Sequence, residues 1–168
     1  MGIFTRFFKP KIQRKQWLEF AFNQLLSDEW EKTRKKLYVY TKNEKMAPSN
    51  VTEEIFLHSL LGSLLELLTF VTTNYDKKLG WEAHELRGQY ISDLKEPIKS
   101  VVQESYENCN QKVGELIPRN SGFTAIALGL IEHLGLIGTE ELKIQLELEF
   151  QALANVWIHD MGQYHFIP

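Results

Sequence analysis

The sequence predicts an all-α fold, a single-domain helical bundle of about five to seven helices around a central hydrophobic helix at residues 51–73. Apolar residues recur at three- and four-residue spacing over most of the chain, and helix-capping residues precede several of these stretches. A chain of 168 residues with 43% hydrophobic and 24% charged residues is suited to one globular core. We expect a basic and aromatic segment at 1–15, followed by a single helical domain at 16–168.

The first part of this domain contains two helix signals and then a loop. Residues 16–26 place their apolar side chains close to one helical stripe. Ser27, followed by acidic residues, is typical of a new helix start, and the helix can continue to about residue 40. Within it, residues 37–40 are locally strand-like. Residues 42–50 have the composition of a loop.

The central helix is predicted to begin at Val51, because Asn50 and Glu53 have the spacing of an N-cap and an N3 carboxylate. Residues 55–73 are apolar on nearly all sides, which is typical of a helix buried in a core or spanning a membrane. Glu66 lies near the middle, and a charge there costs about 2.5 kcal/mol or more in a bilayer. We therefore expect a buried core helix, with a membrane span as the alternative.

The next region is predicted to contain a turn and two helices. Residues 74–80 have the composition of a turn. Pro97 interrupts the charged region that follows, because proline kinks or breaks the interior of a helix. We expect either two helices, at 81–95 and 97–116, or one kinked helix.

The following helix is expected over residues 122–135, with Asn120 or Ser121 as its cap. Gly129 and Gly135 each weaken a helix by about 1 kcal/mol relative to alanine. Their presence therefore indicates close packing of this helix in the core.

The last predicted element has two possible structures. Residues 142–150 alternate apolar and polar side chains, as a half-buried strand does. The apolar pattern continues to about Asp160, which is too long for an ordinary strand, so we predict a helix that starts at Thr139. The remaining residues, 161–168, are expected to be irregular. The predicted inner stripe of the helix consists of Leu142, Leu146, Phe150, Leu153 and Trp157.

Charge is distributed unevenly along the chain. The formal net charge is −3, yet residues 1–15 carry five basic side chains and no acid, which leaves 14 basic and 22 acidic side chains in residues 16–168. An acidic body argues against binding to duplex nucleic acid, because such binding needs a concentrated basic face. It suits a basic protein partner, and it also suits plain solubility.

The N-terminal segment is the candidate contact for a membrane surface or an anion. Aromatic side chains can enter a membrane interface while basic side chains meet anionic headgroups. Pro10 limits any helix here to about two turns. The alternative is that the aromatic rings dock on the core of the domain itself. The candidate contact residues are Phe4, Arg6, Phe7, Phe8, Lys9 and Lys11.

The sequence contains no phosphate-binding loop and no dinucleotide fingerprint, and we expect no cofactor. Cys109 is the single cysteine, which excludes an intramolecular disulfide and thiolate-rich zinc sites and favours a cytoplasmic location. We expect its thiol to be inert. Glu54, His58 and Glu66 are the best candidates for a polar pocket, where a structural role competes with a catalytic or metal-binding one.

These features favour protein–protein binding over catalysis. We expect a small intracellular protein that binds another protein, for which a basic partner suits the charge, and its size and charge suit an inhibitor or immunity protein that neutralises a toxin such as a nuclease. One alternative is a peripheral membrane protein that uses residues 1–15. The other is an enzyme with a polar pocket around His58 and Glu66.

Overall fold

The computed structural model describes residues 9–117, 121–137 and 140–168, and the bundle that they form is all-α, as predicted. The helix α3 lies at its centre and contacts α2, α4, α5, α6 and α7. In chain order, the described residues form β1 (Lys11–Gln13), α1 (Arg14–Leu25), α2 (Asp28–Asn43), α3 (Glu53–Tyr75), α4 (Lys77–Asp93), α5 (Ile98–Leu116), α6 (Gly122–His133), α7 (Glu140–Met161) and β2 (His165–Ile167).

The helix α3 is central because apolar side chains cover almost its whole surface, so it must be surrounded to be shielded from water. Among the described residues it is the one helix long and apolar enough to cross a membrane. In this fold, 72% of its most apolar window is buried inside the bundle. Core helices of folded domains have the same length and composition, so these properties alone are weak support for a span. The buried apolar side chains of α3 are Phe56, Leu60, Leu61, Leu64, Leu65, Leu67, Leu68 and Val71.

The predicted start of α3 at Val51, with Asn50 as its cap, is wrong by two residues. The Thr52 hydroxyl caps the helix instead, accepting a hydrogen bond from the backbone N–H of Ile55 at 3.2 Å. The preceding turn explains the difference. The backbone N–H of Val51 donates to the carbonyl of Pro48 at 3.0 Å, and the Val51 side chain is buried. Val51 thus enters the core before the helix begins.

The predicted turn at 74–80 is wrong, because Asp76 alone separates α3 from α4. The Asp76 carboxylate caps α4 by accepting a hydrogen bond from the backbone N–H of Leu79 at 2.9 Å. Gly80 lies inside α4, where a Cβ would come within 2.5 Å of the Cα of Thr73 on α3. This glycine therefore permits close packing between two successive helices rather than a turn.

Two other boundaries agree with the prediction. Ser27 caps α2, and its hydroxyl accepts a hydrogen bond from the backbone N–H of Trp30 at 3.5 Å. The strand-like residues 37–40 are helical within α2. Pro97 separates α4 from α5, so the charged region forms two helices.

The two glycines of the α6 region have different roles. Ser121 caps α6, while the other predicted cap, Asn120, lies outside the described residues. A Cβ at Gly129 would come within 2.7 Å of the Cα of Cys109, so this glycine permits close packing of α6 on α5, as predicted. Gly135 lies beyond the end of the helix with φ of +60°. Its role is therefore to adopt the left-handed conformation rather than to pack.

The alternating stretch at 142–150 is helical in α7, which confirms the prediction, and the predicted start at Thr139 lies outside the described residues. The whole predicted inner stripe of α7 is buried.

The prediction of an irregular tail at 161–168 is wrong, because its last residues form β2, which pairs in parallel with β1. The backbone N–H of His165 also donates to the carbonyl of Pro10 at 2.9 Å. The rings of Trp17 and Phe166 meet edge to face with centroids 6.0 Å apart. A three-residue strand has too few positions to show a pattern in sequence. Because of this pairing, β1 is part of the folded bundle, although it lies within the N-terminal segment predicted at 1–15.

We predict that Gly62→Ala destabilises the protein by about 1–3 kcal/mol, because a side chain there overpacks the contact between α3 and α5. A Cβ at Gly62 would lie 2.5 Å from the carbonyl oxygen of Val102 and 2.9 Å from the Cβ of Ser105. Gly88→Ala on α4 is the matched control, since nothing lies within 4 Å of its Cβ position. It should stabilise the protein by roughly 0.5–1 kcal/mol. Urea unfolding measures both changes, and equal effects would contradict the packing argument.

Candidate functional site

The predicted N-terminal contact residues lie only partly within the described chain. Lys9 and Lys11 are exposed, and Lys11 is the first residue of β1. Their neighbour Arg14 is paired with Glu82 of α4 at 2.5 Å. Part of the basic segment is therefore held against the acidic body. The other predicted contacts lie outside the described residues: Phe4, Arg6, Phe7 and Phe8.

The structure does not bring His58 and Glu66 into one pocket. Both lie on α3, eight residues apart, which corresponds to about 12 Å along the helix axis. The Nδ1 atom of His58 is hydrogen-bonded to the carbonyl of Glu54 one turn earlier, at 2.8 Å. His58 lines a small groove with Pro97 and Ile98 at the start of α5. The side chain of Glu66 instead meets residues from α4 and α5 deep inside the bundle.

Glu66 is the centre of a buried polar cluster that links α3, α4 and α5. Its side chain is hydrogen-bonded to the hydroxyl of Tyr106 on α5 and lies near the charge of Arg87 on α4. The Arg87 guanidinium stacks on the Tyr106 ring, with Cζ 3.8 Å from the ring centroid. The Oε2 atom of Glu66 and one terminal nitrogen of Arg87 are buried without a hydrogen-bond partner among the described residues.

Burial dominates the electrostatics of this cluster. It raises the pKa of Glu66 from the ordinary 4.5 to about 7, while the Tyr106 hydrogen bond and the Arg87 charge oppose that rise. Burial and the neighbouring Glu66 also raise the pKa of the Tyr106 hydroxyl. Glu66 is only 3% exposed and Tyr106 is 8% exposed, so the cluster has little access to a substrate in solution. Its geometry suits the positioning of three helices.

Glu66 can be recognised from the sequence as a candidate, but neither of its partners can. An acid inside an apolar helix implies a polar partner, because an isolated buried charge is costly. Nothing in the sequence indicates which of the many polar residues on later helices provides it. Arg87 and Tyr106 are recognised only after α4 and α5 have been placed.

The described parts of the chain contain no group of three or more His, Cys, Asp or Glu side chains that could hold a metal ion.

A second candidate site lies on the surface, along the outer face of α7. Ile144, Leu148 and Val156 are 47%, 59% and 54% exposed, and Ala152 is also exposed. These four residues follow one another at four-residue spacing, so they form one row along the helix, which we name the α7 ridge. The inner stripe of the same helix is buried in the core. The helix α7 is therefore apolar on two opposite faces.

Two residues of the α7 ridge, Ala152 and Val156, line a groove beside it, which we name the α7 groove. Two adjoining depressions share Gln24 and Val156 and together run between α7 and the first two helices. The Trp157 indole N–H donates to the Gln24 side-chain oxygen at 3.2 Å, which fixes the groove floor. Phe20 on α1 is 52% exposed and forms part of the apolar lining. The other apolar lining residues are Trp30, Ala152, Leu153 and Val156.

The rim of the α7 groove is acidic. Glu29 on α2 and Glu149 on α7 line one part of it, and Asp160 lines the other. Asp160 accepts a hydrogen bond from the indole N–H of Trp17 at 2.7 Å. None of the described lining residues is Lys or Arg. The groove therefore combines an apolar lining with negative charge at its edge.

No protein-family model, curated protein or solved structure matches this chain.

We predict that Glu66 makes the protein less stable as pH rises. Its pKa is about 7 in the folded chain and 4.5 in the unfolded chain. Between these two pH values, the folded chain therefore holds a proton on Glu66 that the unfolded chain has released. The free energy of unfolding should therefore fall by roughly 3 kcal/mol from this group as pH rises from the lower value to above the upper one. Glu66→Gln should remove this decline, as measured by urea unfolding across that pH range.

Glu54→Gln, an exposed change on the same helix, controls for the loss of one carboxylate. An identical pH profile for the wild type and Glu66→Gln would contradict the role given to Glu66.

We predict that Cys109 does not react with a thiol reagent in the folded protein. Its side chain is fully buried, and burial raises the pKa of the thiol far above the ordinary value, so thiolate is scarce at neutral pH. The absorbance change with Ellman's reagent should appear only when urea unfolds the chain. Rapid stoichiometric labelling without urea would show that the thiol is accessible.

Proposed function

We propose that this protein works by binding another protein through the α7 ridge and the α7 groove. The observation that carries the proposal is the row formed by Ile144, Leu148, Ala152 and Val156, which is exposed to solvent on the side of α7 opposite the buried inner stripe.

The extent of the ridge distinguishes it from ordinary exposed apolar residues. A single exposed aliphatic side chain is common on any protein surface. Four in successive turns, from Ile144 to Val156, form a continuous strip about 18 Å long. The exposed ring of Phe20 widens the apolar area across the groove. Contiguous apolar patches of this kind mark interaction surfaces in soluble proteins.

A basic partner fits this surface best, since the groove rim is acidic and residues 16–168 carry an excess of acidic side chains. An inhibitor or immunity protein that neutralises a basic toxin is one specific form of this proposal.

We predict that Leu148→Asp abolishes capture of the partner without unfolding the chain, because the side chain is exposed and makes its main contact in the complex. The measurement is an affinity pull-down of the tagged full chain from lysate of the source organism, with captured proteins quantified by mass spectrometry. The wild type should retain a stoichiometric protein that Leu148→Asp loses.

Val39→Asp is the matched control, because Val39 is 52% exposed on α2 and lies about half a turn around that helix from Trp30. It should capture the same protein as the wild type. Thermal unfolding of all three chains checks that each is folded. Capture that is unchanged in Leu148→Asp, or no specific capture by the wild type, would contradict the proposal.

A further inference from the structure

We infer that the α7 groove receives an amphipathic helix of the partner, with its apolar side chains in the groove and its basic side chains against Glu29 and Glu149. This inference rests on the proposed function and names the class of partner segment.

The dimensions of the groove match a short helix. Its described lining runs along α7 from Glu149 to Asp160, twelve residues whose ends lie about 16 Å apart along the axis, or three helical turns. Its walls are helices, and a further helix can pack into the depression between two helices by inserting its ridge of side chains. Three turns present apolar anchors at positions i, i+3 or i+4, and i+7. The partners for these anchors are Phe20, Trp30 and Val156.

The acidic rim of the α7 groove favours basic residues beside the apolar face of the incoming helix. Asp160 already accepts a hydrogen bond from Trp17, whereas Glu29 and Glu149 have no cationic partner among the described residues. A helix that covers the groove removes water from these two carboxylates, which is costly unless cations replace the water. Lysine or arginine beside the apolar face of the incoming helix provides these cations.

The same charges disfavour a second copy of this chain as the occupant. The helix α7 carries one lysine, Lys143, and five acidic residues, which are Glu140, Glu141, Glu147, Glu149 and Asp160. If α7 of another copy lay in the groove, these carboxylates would face one another. An anionic membrane surface is disfavoured for the same reason.

The test uses three synthetic peptides of about 14 residues, a length that spans the groove. The first has leucines on one helical face and lysines on the other. The second carries glutamate in place of each lysine, and the third has the composition of the first in an order that does not segregate the two faces. Fluorescence anisotropy of each labelled peptide with the full chain gives the affinity. We expect the first peptide to bind about tenfold or more tightly than the other two.

Variants of the full chain show where the first peptide binds. Glu29→Lys combined with Glu149→Lys should weaken its binding about tenfold and reduce its dependence on salt. Leu148→Asp and Ala152→Asp each add an acidic charge to the α7 ridge. If the first peptide bound by charge alone, both variants would bind it more tightly than the wild type. We expect them instead to bind it more weakly. Val39→Asp adds the same charge elsewhere and should leave the affinity within about twofold of the wild type.

Three outcomes would overturn the inference. The first is equal binding of the ordered and scrambled lysine peptides, and the second is unchanged binding in the double lysine variant. The third is a dimer of the chain in sedimentation that Leu148→Asp dissociates, which would assign the groove to a second copy. If the pull-down yields a partner that depends on Leu148 while the basic peptide fails to bind, the proposed function stands and the inference about the helix fails. If both fail, the proposed function itself is wrong.

Discussion

The fold depends on the need to surround α3 with other helices. A helix that is apolar on all sides leaves exposed apolar surface wherever a neighbour is missing, so five of the other helices contact it. Among these neighbours, α5 can pack closely on α3 because Gly62 has no side chain. At the same place the Ser105 hydroxyl donates to the carbonyl of Ser59 at 2.6 Å, so a polar group buried in the contact is satisfied. The buried cluster around Glu66 lies in the same layer and links α4 to both helices.

The sequence contains most of the information about helices and little about how they meet. Capping by Ser27 and the break at Pro97 depend on a few adjacent residues, and both were predicted. The error at Asp76 has a different origin, because polar residues and a glycine are typical of a turn, whereas here they allow two successive helices to pack closely. The pairing of β1 with β2 was missed, since it joins residues from opposite ends of the sequence. Such pairing is determined by the assembled bundle and has no local signal.

The candidate binding site, like the fold, could be predicted only in part from the sequence. The alternation at 142–150 was visible in sequence, and it raised the choice between a strand and a helix. In the structure it results from two apolar stripes on one helix, with Leu146 on the inner stripe and Ile144 and Leu148 on the outer. The inner stripe could be predicted from spacing alone. The exposure of the outer stripe depends on what packs beside α7, so the ridge could be recognised only in the folded chain.

The parallel ladder between β1 and β2 determines how the fold would respond to a mechanical force. In a parallel pair, the start of one strand lies beside the start of the other, here Lys11 beside His165. A pull applied at Pro10 and at Ile167 acts at opposite ends of this ladder. It therefore stretches the inter-strand hydrogen bonds together, in shear, instead of opening them one after another. The ladder thus acts as a clamp that tension between these two points must break before it reaches the helices.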